Sequence, residues 1–118
     1  MTTNVPLAER NCVSWPSGTP ALMPEAAGRL LAELPGWRIE NNRVRKAFRF
    51  EDFASALRFV DRVGAMADEQ DHHPDVHLGW GRAEIELWTH SVGGLSDNDF
   101  IFAAKTENLA KDAPGRRT

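Results

Sequence analysis

The sequence has a single cysteine, Cys12, so no disulfide forms within the chain and a cysteine-ligated zinc module is excluded. A reducing cytoplasm is the natural setting for such a chain. A basic excess is missing too: 14 Lys and Arg stand against 17 Asp and Glu, a net charge of -3, which argues against nucleic acid as a direct partner. Apolar runs are only a few residues long, where roughly 20 are needed to cross a bilayer. The first twenty residues, with Glu9, Arg10, Pro16 and Pro20, lack the apolar stretch of a secretory signal, so a cytoplasmic protein with no membrane partner is expected. Tyrosine is absent. What remains, 42% hydrophobic and 26% charged residues, suits one globular domain, and at this length about two thirds of the unfolded surface can be buried without covalent staples. Two oddities stand out: four Trp, and three of the four His between positions 72 and 77.

The polar, proline-bearing residues 1–23 read as an irregular arm lying on the domain or partly disordered, with Trp15 as an anchor. Pro24 suits a first helical turn, and Ala27, Leu30, Leu31 and Leu34 follow at helical spacing until Pro35-Gly36. Trp37 to Ile39, the Asn41-Asn42 turn and the alternating run Val44 to Phe50 predict a β-hairpin. Asp52 caps the longest predicted helix. Its wide stripe, Phe53, Leu57, Val60, Gly64 and Ala67 flanked by Ala56, Phe59, Val63 and Met66, implies burial against the sheet and against a partner subunit. The helical pattern is lost over Asp68 to Asp71, and Pro74 biases His73 to extended geometry, so His72 and His73 belong to a loop entering a strand.

Val76 to Trp80 and Arg82 to His90 alternate as a second hairpin. Ala83, Ile85, Leu87 and Thr89 share one face, while Glu84, Glu86, Trp88 and His90 share the other, where the two glutamates are expected to stay in water. Ser96 to Asp99 opens a final helix to about Ala110, and residues 111–118 are expected to fray. The order α-β-β-α-β-β-α predicts an α+β domain over residues 24–110, a four-stranded antiparallel sheet with three helices on one face.

The run Asp68 to Asp75 holds His72, His73 and Pro74, and the return strand brings Thr89-His90 back beside it. Imidazoles give and take protons near neutrality, so several together can serve as acid and base. A single His in a chain of this size is more often structural. The pair is harder to dismiss, because neighbours on an extended segment face opposite ways. A metal set from His72, His77 and His90 with Asp68 or Asp75 stays open, although no recognised ligand spacing is present. Cys12 has no nearby His in sequence to make it a nucleophile, and Asp99 has an ordinary explanation as partner of Ser96 in a helix cap.

Asp68, His72-His73-Pro74, Trp80, Thr89-His90, Gly94-Leu95-Ser96 and Asp99, with Leu34-Pro35-Gly36-Trp37 and Phe50-Glu51-Asp52-Phe53 upstream, resemble the pterin-4a-carbinolamine dehydratases from Leu30 to Leu109. The resemblance implies an α+β fold assembled as a dimer or dimer of dimers. It also implies dehydration of 4a-hydroxytetrahydropterin to quinonoid dihydropterin, the step that recycles tetrahydrobiopterin, with the pterin as substrate and no metal or other cofactor. By position, His72 and His90 match the family's proton-transfer residues. His73 matches a residue that orients the pterin, Asp68 supports that imidazole, and Pro74 and Trp37 match substrate-binding positions. Asp99 matches a motif residue. Some members of this fold act instead as protein-binding modules, transcriptional coactivators or Rubisco assembly factors. Departures from the family pattern are small Val76 beside His77, the carboxylates Glu84 and Glu86, and the arm from Asn11 to Ala21.

Overall fold

The computed structural model describes residues 5–117, so Met1 to Asn4 of the arm and Thr118 of the tail lie outside the described residues. Helix α1 (Pro24–Leu31) begins on its proline, and strand β1 (Arg38–Glu40) follows two turns of chain later. Asn41 and Asn42 both adopt positive φ, the left-handed pair that a two-residue hairpin needs, and lead into β2 (Arg43–Phe50). Helix α2 (Phe53–Gln70) starts on Asp52, whose carboxylate accepts from the Ser55 backbone N–H at 2.8 Å. Strands β3 (Asp75–Gly79) and β4 (Arg82–Leu87) form the second hairpin, α3 (Asp97–Lys111) follows, and β5 (Arg116–Arg117) ends the described chain.

The sheet is antiparallel in the order β1-β2-β4-β3. Pairing of Val44 with Leu87 and Phe48 with Ala83 puts Val44, Phe48, Ala83, Ile85 and Leu87 in the core. There they meet Ala56, Phe59 and Val63 from α2 and Phe100 and Phe102 from α3. At the β3–β4 turn Gly81 has φ +67°, and a Cβ there would stand 2.9 Å from the Phe50 carbonyl, which accepts no other residue type without a shift.

The predicted layer architecture is present, with corrections of detail. The tail does not fray: Arg116 and Arg117 pair with Phe50 and Arg49 on the β2 edge that short β1 leaves open, adding a fifth strand. Helix α2 runs through Asp68 to Gln70 before Asp71, at φ 51°, ends it. Strand β4 stops at Leu87 instead of reaching His90: its ladders with β2 and β3 end at Val44–Leu87 and Asp75–Glu86, Thr89 bridges Gly94, and His90 opens a 3-10 turn (His90–Val92).

Glu84 and Glu86 are not in water. Arg45 reaches both, Arg38 and Arg82 reach Glu84, and the His77 ring lies 3.4 Å from Glu86, so a lid of guanidinium groups with an imidazole at its edge buries the two carboxylates on the sheet's outer face. Of the wide α2 stripe, Ala56, Phe59, Val63 and Ala67 are buried, whereas Phe53 and Leu57 are 44% and 41% exposed in the single chain. No helix among the described residues is long and apolar enough to cross a membrane.

Candidate active site

Helix α2 ends on a left-handed residue, Asp71, and this sharp exit turns His72 inward and His73 outward. The His72 ring packs edge-on against Phe102 of α3 and is 8% exposed. Its Nε2 lies 2.7 Å from Oδ1 of Asp99, a residue with no exposed surface. The second Asp99 oxygen, Oδ2, accepts from the Thr89 hydroxyl at 2.9 Å and the Ser96 backbone N–H at 3.0 Å, and the Thr89 and Ser96 hydroxyls are 2.7 Å apart. Asp99 is therefore both the carboxylate of the α3 capping box and the partner of His72.

This double duty fixes the imidazole. Ser96 N–H can only donate, so Oδ2 must accept; as a carboxylate Asp99 also accepts at Oδ1, which places the proton of neutral His72 on Nε2. Nδ1 has no hydrogen-bond partner among the described residues and is not among their buried unpartnered atoms, so it opens onto the cavity that the ring lines. A neutral His72 presents a bare lone pair there and a protonated one presents an N–H.

That cavity, about 310 Å³, is lined by His72, His73, His90, Trp88, Trp15 and Asn98 among others. His73 is exposed, and its Nε2 stands 3.0 Å from Oδ1 of Asp68 one turn back on α2. His90 is exposed and stacks on Trp88 with ring centroids 3.8 Å apart, while the Arg43 guanidinium lies 4.7 Å from the Trp88 ring centre. The three histidines therefore share one wall-to-wall space. Asp68 and Asp99 stand behind two of them, and Pro74 is half-buried outside the cavity wall.

Trp37 is placed elsewhere. It is buried in the core, edge-on to Phe48 at 5.9 Å, and donates to Glu107 at 2.9 Å on the far side of α3. Trp80, the other motif aromatic, is 74% exposed at the β3–β4 turn beside Arg49 and Arg117. His77 also leaves the cluster, on edge strand β3, and among the described residues no three His, Cys, Asp or Glu side chains come together as a metal-ligand set. A groove of about 390 Å³ between Pro6–Ala8, Pro35 and α3 holds no histidine.

Two members of the cavity wall are not legible as site residues in the sequence. Trp88, just past the end of β4, reads as an outward-facing residue by alternation, and only the stack with His90 gives it a role. Trp15 comes from the arm, 57 residues before His72, with no local signal beyond its ring. Cys12 stays out of the chemistry: burial, and then the negative charge of Asp99, push its thiol up to about 11 against the partial relief from Lys105.

Residues 20–109 match the family described as pterin 4 alpha carbinolamine dehydratase. A protein of Rubrobacter xylanophilus is 50% identical over 104 residues, covering 87% of this chain and 97% of the relative. One of Methylococcus capsulatus is 39% identical over 109 residues, covering 91% and 96%. Both are named "Putative pterin-4-alpha-carbinolamine dehydratase". Among solved structures, the transcriptional coactivator/pterin dehydratase of Brucella melitensis superposes with TM-score 0.73 at 28% identity, covering 76% of this chain and 98% of that one. A pterin dehydratase-like protein identified as a RuBisCO assembly factor in the alpha-carboxysome superposes with TM-score 0.55 at 27% identity, covering 64% and 89%.

Proposed function

Because the chain belongs to the pterin-4a-carbinolamine dehydratase family, we propose that it is a hydro-lyase that removes water from 4a-hydroxytetrahydropterin, giving quinonoid dihydropterin, with histidines as acid and base. The observation that carries this reading is His72: one nitrogen held by buried Asp99, the other open to a cavity that His73 and His90 share. The reaction needs two proton movements. One proton goes to the hydroxyl at C4a as the C–O bond breaks and water leaves; another leaves a ring N–H as its electron pair forms the new double bond.

The His90 ring, exposed and free of hydrogen bonds to the described residues, donates to the departing hydroxyl. His72, whose lone pair at Nδ1 is fixed by Asp99, accepts the ring proton. His73, steadied by Asp68, holds the pterin between them. The pterin is substrate, and water, acid and base balance the step without a further cofactor. The product is the oxidised pterin that a reductase must return to the tetrahydro form, a place in tetrahydrobiopterin recycling. The exposed Phe53–Leu57 stripe of α2 suits a homodimer or dimer of dimers.

A second reading, a protein-binding module, is supported by the solved relative identified as a RuBisCO assembly factor, while the Brucella melitensis relative is named both transcriptional coactivator and pterin dehydratase. The test that separates the two is stopped-flow decay of enzymatically generated 4a-hydroxytetrahydropterin. Acceleration over the spontaneous dehydration, abolished in His72→Ala, is expected; a wild-type rate equal to the spontaneous one overturns the enzyme reading in favour of the module.

A further inference from the structure

The arm before α1 is held by Leu7 in the core, by Lys105 on the Ala8 carbonyl and by Leu22 on Leu95, and between these its residues 11–18 are tied at the edges of the histidine cavity. Cys12 N–H donates to Gln70 Oε1 at 2.8 Å, two residues before His72, and Gln70 Nε2 donates back to Asn11 at 3.2 Å. Asn98, next to Asp99, grips Val13 from both sides: it accepts from Val13 N–H at 2.9 Å and donates to the Val13 carbonyl at 2.7 Å. Past the cavity, Gly18 N–H donates to the carbonyl of Ser91, next to His90, at 3.2 Å. Trp15 lies between the Val13 and Gly18 ties and lines the cavity.

The half-buried Trp15 also borders a small apolar cavity with Pro20, Leu22 and Val92. Trp88, the other aromatic of the wall, already carries His90 and Arg43, whereas among the described residues no aromatic or cationic group stacks on Trp15. The Trp15 indole N–H is buried and has no acceptor. A buried donor left unpaired costs stability, and its retention asks for a use beyond packing.

We propose that residues 12–18 are a strap forming one wall of the substrate site, and that Trp15 supplies the aromatic face on which a flat bicyclic ring rests. The inference rests on the dehydratase reading, whose substrate is such a ring with a carbonyl acceptor beside the reacting carbon. Trp15 is a positioning residue in this scheme: it moves no proton, so its loss falls on binding. Because Asn98 leads into Asp99 and Gln70 leads to His72, the strap fixes the ring relative to both histidines.

The test compares wild type, Trp15→Phe and Trp15→Leu in the stopped-flow dehydration assay, with the thermal midpoint of each measured in parallel. Leucine keeps apolar bulk and removes the aromatic face. The expected result is a KM raised about tenfold in Trp15→Leu with kcat changed less than about threefold, and recovery of most of the loss in Trp15→Phe. Equal KM values in the Phe and Leu variants overturn the strap as a substrate surface.

Should Trp15→Leu not fold, quenching of indole emission by a tetrahydropterin lacking the 4a-hydroxyl decides between wild type and Trp15→Phe. Loss of about half the quench or more supports the proposal, and a smaller loss overturns it. A wild type that neither binds that pterin nor accelerates dehydration fails at the dehydratase reading itself, whereas an active wild type with an indifferent Trp15 fails at the strap alone.

Discussion

The chain buries acidic groups in two places, and it treats them differently. On the outer sheet face Glu84 and Glu86 are neutralised by guanidinium groups, Arg45 above all, at 3.4 and 2.5 Å. Behind the cavity Asp99 has no Arg or Lys; its hydrogen-bond partners are a hydroxyl, a backbone N–H and an imidazole. A guanidinium does not titrate in proteins, so the first cluster is a fixed neutralised pair that closes a sheet face. An imidazole does, so the second cluster can pass a proton into the cavity. Burial of charge alone therefore does not mark a site. The identity of the neutralising partner does.

Substitution should split the two clusters cleanly. His72→Ala should lower turnover per folded molecule by about 100- to 10,000-fold in stopped-flow and, by taking one partner from buried Asp99, cost about 1 to 3 kcal/mol of stability in urea unfolding. Arg45→Met should cost stability and spare turnover. With Glu84 and Glu86 stripped of their nearest cation, about 3 to 5 kcal/mol of stability is lost in urea unfolding, while turnover per folded molecule is retained. Thr89→Val removes one donor from Asp99 and should cost about 1 to 3 kcal/mol, together with a fall in turnover that Arg45→Met does not show.

The smallest effect is on Cys12, which feels Asp99 and sits far from the arginines in charge terms. With its thiol near 11 against the ordinary 9.0, it should alkylate about a hundredfold more slowly at pH 8 than a free thiol. Asp99→Asn should speed that reaction and Arg45→Met should not. The folded chain keeps the thiol proton to higher pH than the unfolded chain does. Cys12 therefore contributes fully below about pH 9, and that contribution fades as the pH climbs toward 11.

The sequence makes the elements and the three histidines legible because each has a local signature: the Pro24 start, the Asn41-Asn42 turn, the Asp52 cap, strict alternation in β2 and β4, and Pro74 behind a His pair. What depends on distant partners is not legible. Alternation places Glu84 and Glu86 on the outward face, correctly, but whether water or arginine meets them depends on Arg38 and Arg45 of another hairpin. The tail looks unstructured by composition, and it pairs because β1 is too short to cover β2. Trp37 matches a site position by motif and lies in the core, while Trp15 reads as an anchor and lies on the cavity. Asp99 shows a cap role and a motif match in sequence, but not its partner: the contact with His72 spans 27 residues and a helix end.

Catalysis depends on Asp99 setting the His72 tautomer, and Asp99→Asn tests that directly. The Ser96 N–H and Thr89 hydroxyl hold the amide oxygen at the Oδ2 position, so the amide NH2 faces His72 Nε2. Nε2 must then accept, and the neutral ring carries its proton on Nδ1, toward the cavity, where a base is needed. The measurement is the single-turnover rate of 4a-hydroxytetrahydropterin dehydration by Asp99→Asn with its unfolding midpoint recorded alongside. The expected rate is at least about tenfold below wild type in a protein that still unfolds near the wild-type temperature. A wild-type rate in Asp99→Asn contradicts it and leaves Asp99 as a helix cap alone.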